Sequence, residues 1–373
     1  MTQRATRLIE NVSAIYPTAV GSLPYTDPAT ACRTILTFFK DIPFWPQLTR
    51  RSFLENMYVQ YAEKIPGAVV DLQEKKIYVD TGSDTAGETL EVFERFLAED
   101  VDFFSISRER AEGLYAFIDA VGGLPEGHRP RFVKGHSIGP VSFGLTVTDG
   151  KKRALFYDQT QRELLTKILS MRARWQIRKL KETRAPVIFF IDEPYLASIG
   201  SSYVSLKKEE ALSALDEMIR AVHQEGALCG IHCCGNTDWP FILAMDVDIV
   251  NFDAYAFYEG LSLYPGEVAA FLKRGGVLAW GVVPTTRELL DVDERAIGAR
   301  FEEALLVFEK KGIPRQEMLR IVAFVPPPAC STTMSGTTHS WGLKPPWAYS
   351  MPAVKHAVPN GDAMRSSGLQ YQP

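Results

Sequence analysis

The chain has 373 residues, of which 46 % are hydrophobic and 23 % charged. That balance excludes a mainly disordered chain, a collagen and a coiled coil, and it allows a large buried core. Lys and Arg number 41 and Asp and Glu 45, a net charge of −4, without the basic excess that a nucleic-acid binder shows.

Five cysteines are too few for a disulfide framework and point to a reducing compartment. Polar sequence follows Met1-Thr2-Gln3-Arg4-Ala5 with no apolar signal core. No run approaches the roughly 20 apolar residues of a membrane helix. A cytoplasmic protein with neither nucleic-acid nor membrane partners is expected.

Short β-rich runs alternate with long amphipathic stretches. In chain order, strands are expected at 18–23, 101–107, 131–136, 187–192, 227–232, 248–252, 276–282 and 321–325. Helices are expected at 88–98, 108–121, 155–184, 207–225, 266–274 and 291–312. Leu212, Leu215, Met218, Ile219 and Val222 mark the fourth helix by their spacing of three and four. The basic run Arg172, Arg174, Arg178, Lys179 and Lys181 reads as the solvated face of the third.

Strands alternating with helices imply parallel crossover units. Eight of them fit a closed (β/α)8 barrel better than an open sheet, and no G-x-G-x-x-G follows the first strand. One barrel domain is therefore expected over residues 1–345, followed by a proline-rich C-terminal arm at 346–373. Residues at about 25–90 read as an insertion after strand one, with a helix near 52–63 and a hairpin of Ala68–Leu72 with Lys76–Val79.

In such a barrel, chemistry sits at the carboxyl ends of the strands. Gly21-Ser22, His136, Asp192-Glu193, His232-Cys233-Cys234, Asp253 and Cys330 fall there. His232 and Cys234, two apart, face the same way. Imidazole and thiolate together favour zinc; Cys330 offers a second thiolate and Asp253 an oxygen. Cys233 points the other way and reads as structural. Asp192 is a candidate to hold a substrate ammonium or act as a base, Glu193 to pair with a basic group, and His136 to act in catalysis. His339, in the stretch Ser331–Ser340, is a further candidate acid or ligand.

The order G-S-x-P, G-P-V, I-D-E-P, H-x-C-G-N and a late cysteine resembles the catalytic domain of cobalamin-independent methionine synthase. It also resembles the corrinoid-dependent thiol methyltransferases, including methylcobamide:coenzyme M methyltransferases. Both belong to the uroporphyrinogen decarboxylase-like barrels. Ile231–Trp239 (IHCCGNTDW) is most similar to the corrinoid-linked branch. The resemblance implies zinc on His232, Cys234 and Cys330, with Asp253 where methionine synthase has a glutamate. It implies substrate binding by Val20, Gly21 and Ser22, which match the segment that binds the homocysteine carboxylate, and by Asp192, which matches the aspartate that binds its amino group.

Departures from the folate-dependent branch are specific. Thr146 stands where its tryptophan contacts folate, and Ser198 where an acidic residue binds folate. No histidine occurs in Gly281–Thr286, and Arg51 falls near the place of a substrate-binding glutamate. The resemblance therefore implies a zinc-dependent methyltransferase acting on a small thiol, its donor a methylcobalamin on a partner corrinoid protein. A folate-dependent methionine synthase, a decarboxylase-like lyase and a non-catalytic zinc- or corrinoid-binding module are the alternatives.

Overall fold

The computed structural model describes residues 16–82, 84–199, 204–284 and 291–319. The expected strand at 321–325, the arm at 346–373, Cys330 and His339 lie outside the described residues. In chain order come α1 (Pro28–Phe38), β1 (Ala68–Asp71), β2 (Lys76–Val79), α2 (Ala86–Leu97) and α3 (Glu112–Gly122). Then follow β3 (Val133–Ile138), α4 (Pro140–Thr146), β4 (Thr148–Asp149), α5 (Gln159–Lys181), β5 (Val187–Asp192) and α6 (Lys208–Gln224). The last described part holds β6 (Leu228–Cys233), α7 (Trp239–Ala244), β7 (Ile249–Phe252), α8 (Ala254–Leu261), α9 (Pro265–Lys273), β8 (Val277–Trp280), α10 (Glu294–Lys310) and α11 (Arg315–Met318).

The main sheet is parallel, in the order β3-β5-β6-β7-β8. It does not stop at β3. Residues 41–47 run beside that strand through Phe132 N to Asp41 O (3.1 Å), Lys134 N to Pro43 O (2.8 Å) and a parallel Phe44–Lys134 bridge. Residues 21–23 run beside 41–47 through Gln47 N to Gly21 O (3.0 Å), Leu23 N to Gln47 O (2.9 Å) and a parallel Ser22–Gln47 bridge. The first expected strand is thus an extended edge segment. The sheet's next member comes from residues that read as insertion, because Pro43 and Pro46 lack the N–H groups of a regular strand.

Two expectations need correction. Residues 101–107 are no strand: Val101–Phe104 form a 3-10 turn capped by Asp100, which accepts from Phe103 N. Val101 and Phe104, three apart, are buried, a turn's spacing rather than a strand's alternation. The helix near 52–63 is instead two single 3-10 turns, Phe53–Glu55 and Val59–Tyr61. The hairpin is present as β1 paired antiparallel with β2, and β4 adds to β2.

The strands alternate cleanly. Val133, Phe189, Ile191, Ile231, Val250, Phe252, Leu278 and Trp280 pack into one large core with the helices. The opposite face sends Ile188, Phe190, Leu228, Ile249, Val277 and Ala279 into a second, smaller core with Tyr16, Val20, Ile42 and Phe132. No helix residue belongs to that second core among the described residues. Lys134, His136, Asp192, His232 and Asn251 share this inner parity and are buried.

The basic run of α5 is a solvated face only in its C-terminal half. Arg172 is wholly buried and Arg174 nearly so. Arg172 donates to the carbonyls of Phe104, Tyr61 and Glu63, which stitches the segment before β1 and the turn at 101–104 to α5. Arg174 pairs with Glu225 at 2.9 Å. Arg178, at 48 % side-chain exposure, and Lys181 are exposed as expected, and Lys179 is half-buried.

Candidate functional site

Of the inner-facing polar residues, Asp192 and His232 lie at the carboxyl ends of their strands, while His136 is mid-strand and Lys134 near the start of β3. Register places Asp192 beside His232, and His232 beside Asn251. Asn251 Nδ2 donates to Ala279 O (2.7 Å), which leaves its Oδ1 to accept from His232 Nδ1–H (2.6 Å). A backbone carbonyl can only accept, so this bond fixes the tautomer: neutral His232 presents Nε2 as a lone pair. Burial opposes the imidazolium, but a hydrogen bond with Cys234 and the Asp192 carboxylate raise the His232 pKa above its usual value.

Asp192 is buried, and its Oδ1 has no hydrogen-bond partner among the described residues. Burial pushes its carboxyl up to about 6, against the opposing charges of His232 and Lys134. Lys134 is wholly buried; burial lowers its ammonium to about 8, and Asp192 works the other way. Its Nζ donates to Val20 O (2.6 Å) and lies 4.4 Å from the centre of the Phe190 ring.

His136 stacks on Trp45 with centroids 4.2 Å apart and planes 11° from parallel. Both ring nitrogens are buried and lack partners among the described residues, and burial holds its pKa well below the usual histidine value. Its backbone is gripped from outside: Gln176 Oε1 accepts from His136 N, while Gln176 Nε2 and Tyr61 OH donate to His136 O. Gly21 makes the ring's place possible. A Cβ there would lie 2.2 Å from His136 Cε1, and its φ of +153° suits glycine.

Other site candidates have tasks within the fold. Glu193 turns away from the row and, among the described residues, does not pair with a basic side chain. It accepts from Val141 N (2.9 Å), Ser142 N (2.7 Å) and Ser142 Oγ (2.5 Å), because the first turn of α4 offers uncommitted N–H groups. Gly139 leaves room for it, since a Cβ there would meet Glu193 Oε1 at 2.1 Å. Burial pushes the Glu193 carboxyl up to about 7 despite these donors. Asp253 caps α8 by accepting from Ala256 N (3.0 Å), and burial raises its pKa. Cys233 faces the helices and is buried. In the rest of Ile231–Trp239, Asn236 accepts from Trp239 Nε1 (2.9 Å) and Asp238 caps α7.

The structure therefore brings His232, Cys234 and Asp192 together, with Lys134 and His136 on the same inner face. Val20 and Gly21 join through their contacts with Lys134 and His136. Among the described residues, no group of three or more His, Cys, Asp or Glu side chains is arranged to hold a metal. His232 and Cys234 supply one nitrogen and one sulfur donor, a pair suited to zinc. Residue types alone did not point to Lys134, Asn251 or Trp45. The signal for the first two was alternation: Lys134 is two before His136, and Asn251 two before Asp253.

The chain matches no known family model, and no curated protein is significantly similar to it in sequence. No helix among the described residues is long and apolar enough to cross a membrane.

Proposed function

We propose that this chain is a zinc-dependent methyltransferase that methylates a small thiol, with a methylated corrinoid on a partner protein as donor. The observation that carries the reading is the Asn251–His232–Cys234 arrangement. A histidine held through Nδ1 by an oriented amide and hydrogen-bonded to a neighbouring cysteine is how proteins prepare a metal ligand. His232 and Cys234 would hold the ion, with Cys330 as the further thiolate and Asp253 as the oxygen donor. Bound zinc would lower the pKa of the substrate thiol and keep it a nucleophilic thiolate at neutral pH.

The chain's own residues do the rest. Asp192 orients the substrate through its unpartnered Oδ1. Lys134 balances that carboxylate's charge and holds the Val20 carbonyl, which sets Gly21 and Ser22 at the edge of the site. His136, neutral and packed on Trp45, shapes the floor.

The same reading completes the fold as a closed eight-stranded barrel, with residues 321–325 (IVAFV) as the last strand. Two observations support closure. The inner face is buried although no helix covers it among the described residues, and enclosure of that face by the sheet itself accounts for both facts. Trp280 Nε1 also donates to Met318 O (3.2 Å), so the chain leads toward 321–325 from beside β8, the sheet's edge among the described residues.

Metal content tests the function directly. Freshly purified protein should carry about one zinc per chain, and Cys234→Ser should lose it. Wild type, but not the variant, should transfer methyl from methylcobalamin to a thiol. Zinc-free protein that takes up none on addition overturns the reading, as does a Cys234→Ser variant with full zinc and full transfer.

A further inference from the structure

We infer that the cavity between α2, α5 and α6 binds a small aromatic monocarboxylate. Two side chains without partners among the described residues line it: the Ser170 hydroxyl at its buried end and the Arg220 guanidinium at its open end. The site is separate from the His232–Cys234 pair and does not rest on the function proposed above.

The cavity has a volume of about 250 Å³. That is just below the roughly 300–1,000 Å³ of sites for drug-sized ligands, so it suits one ring with a short side chain. Phe96, Leu97, Met171 and Ala221 give it apolar walls. Met171 and Ala221 are buried, while Leu97 at the edge is exposed. Along α5, Ser170, Met171 and Arg174 face the cavity. Arg172 and Gln176 lie on the opposite side of that helix, since about 100° separates successive residues. There they hold Phe104 O and the His136 backbone.

Ser170 is the first sign of a ligand. It is 2 % exposed, and its Oγ has no hydrogen-bond partner among the described residues. A serine or threonine within a helix can donate to the carbonyl four residues before it. Thr166, one turn earlier, does so, to Arg162 O at 2.8 Å. Ser170 does not, and a buried hydroxyl is costly to leave unmatched. What fills the cavity can match it.

Charge decides which end of the ligand faces out. Glu217 pairs with Lys167 (3.3 Å), Glu99 with Arg174 (3.4 Å), and Glu225 with Arg174 and Arg178 (2.9 Å each). Three acids and three cations therefore balance around the cavity. Arg174 also donates to Met171 Sδ, so it is a fixed wall and not a free cation. Glu99 holds a φ of +53° just after α2, a position that favours glycine, and its side chain reaches Arg174 from there. Arg220 lines the same cavity, is exposed, and has no acidic partner among the described residues. The charge left over at the rim is positive, so a carboxylate fits it and an ammonium does not. A bound acid would set its carboxylate on Arg220, its ring against Phe96 and Met171, and a hydroxyl on Ser170 Oγ.

The test is a ligand-observed NMR titration of the full-length protein with 3-(4-hydroxyphenyl)propionate. Wild type should bind it with a dissociation constant of about 1 mM, the strength expected of a ligand this small. Arg220→Gln should weaken it about tenfold, the usual effect of losing a hydrogen bond to a charged group. Ser170→Ala should weaken it several-fold but leave 3-phenylpropionate, which lacks the hydroxyl, within about twofold. Ala221→Leu fills the cavity and should abolish binding of both acids. Tyramine, which carries an ammonium in place of the carboxylate, should bind about tenfold more weakly than the acid or not at all.

No binding of either acid to wild type overturns the inference and leaves the cavity to water. Binding that survives both Ala221→Leu and Arg220→Gln lies elsewhere on the protein and overturns it too, as does tyramine binding as tightly as the acid. Arg220 is exposed, so Arg220→Gln keeps the packing intact and decides the matter alone if Ala221→Leu does not fold.

Discussion

Asn251 is a buried amide whose nitrogen end is pinned on a backbone carbonyl, so its oxygen end has a fixed direction. The consequence falls on His232. Asn251→Leu would leave His232 Nδ1–H and Ala279 O without partners in a buried setting, and the ring would be free to turn. Zinc affinity should fall about 10–100-fold, the usual result of removing such an orienting partner. Competition titration with a chelator measures it; unchanged affinity would mean that the ring is held by packing alone. None of this was legible from residue types. The His-x-Cys spacing pointed to His232 and Cys234, but Asn251 and Lys134 become visible only when alternation is followed backward along β7 and β3.

Elements with strong periodicity were legible and the irregular ones were not. β5 spans the residues that V-I-F-F-I-D marks, and α6 closely follows its apolar stripe, although Leu212 is 37 % exposed and Ala211 and Ala214 are buried in its stead. The failures have physical causes. Prolines hid the sheet segment at 41–47, and aromatic, β-like composition disguised the turn at 101–104. A helix rich in arginine suggested a solvated face, but Arg172 is buried because three carbonyls need it.

The junction of β5 and α4 shows the same dependence on partners and predicts a pH effect. Burial raises the Glu193 carboxyl from 4.5 to about 7. A carboxyl raised in the folded state binds its proton more tightly there than in the unfolded chain. Its contribution is therefore complete below pH 4.5 and is lost as pH rises through about 7. At about 1.4 kcal/mol per pH unit this amounts to roughly 3 kcal/mol. Glu193→Gln removes the titration, so the fall in stability between those pH values should be shallower in the variant. Its baseline should also be lower, since the amide nitrogen must face a donor. Urea unfolding at several pH values reads the difference in slope; identical slopes would show that Glu193 does not carry the effect.

At the scale of the molecule, the decisive fact is that two faces of one sheet are buried by different means. Helices cover the outer face, whereas the inner face carries apolar residues together with Lys134, His136, Asp192, His232 and Asn251, with no helix over them among the described residues. An open parallel sheet would leave these groups wet, or require helices on both sides. A closed barrel, as proposed, would bury them. The proposed closure would rest on residues 321–325, so truncation after Leu319 is the sharpest test of that proposal. It would open both edges of the sheet and expose Val20, Ile42, Val277 and Ala279, which all belong to the inner core. The truncated chain should lose cooperative unfolding and bind hydrophobic dye, as chains without fixed packing do. A truncated protein that unfolds in one sharp transition near the wild-type midpoint would show that the sheet is stable open. The buried inner row would then need another explanation.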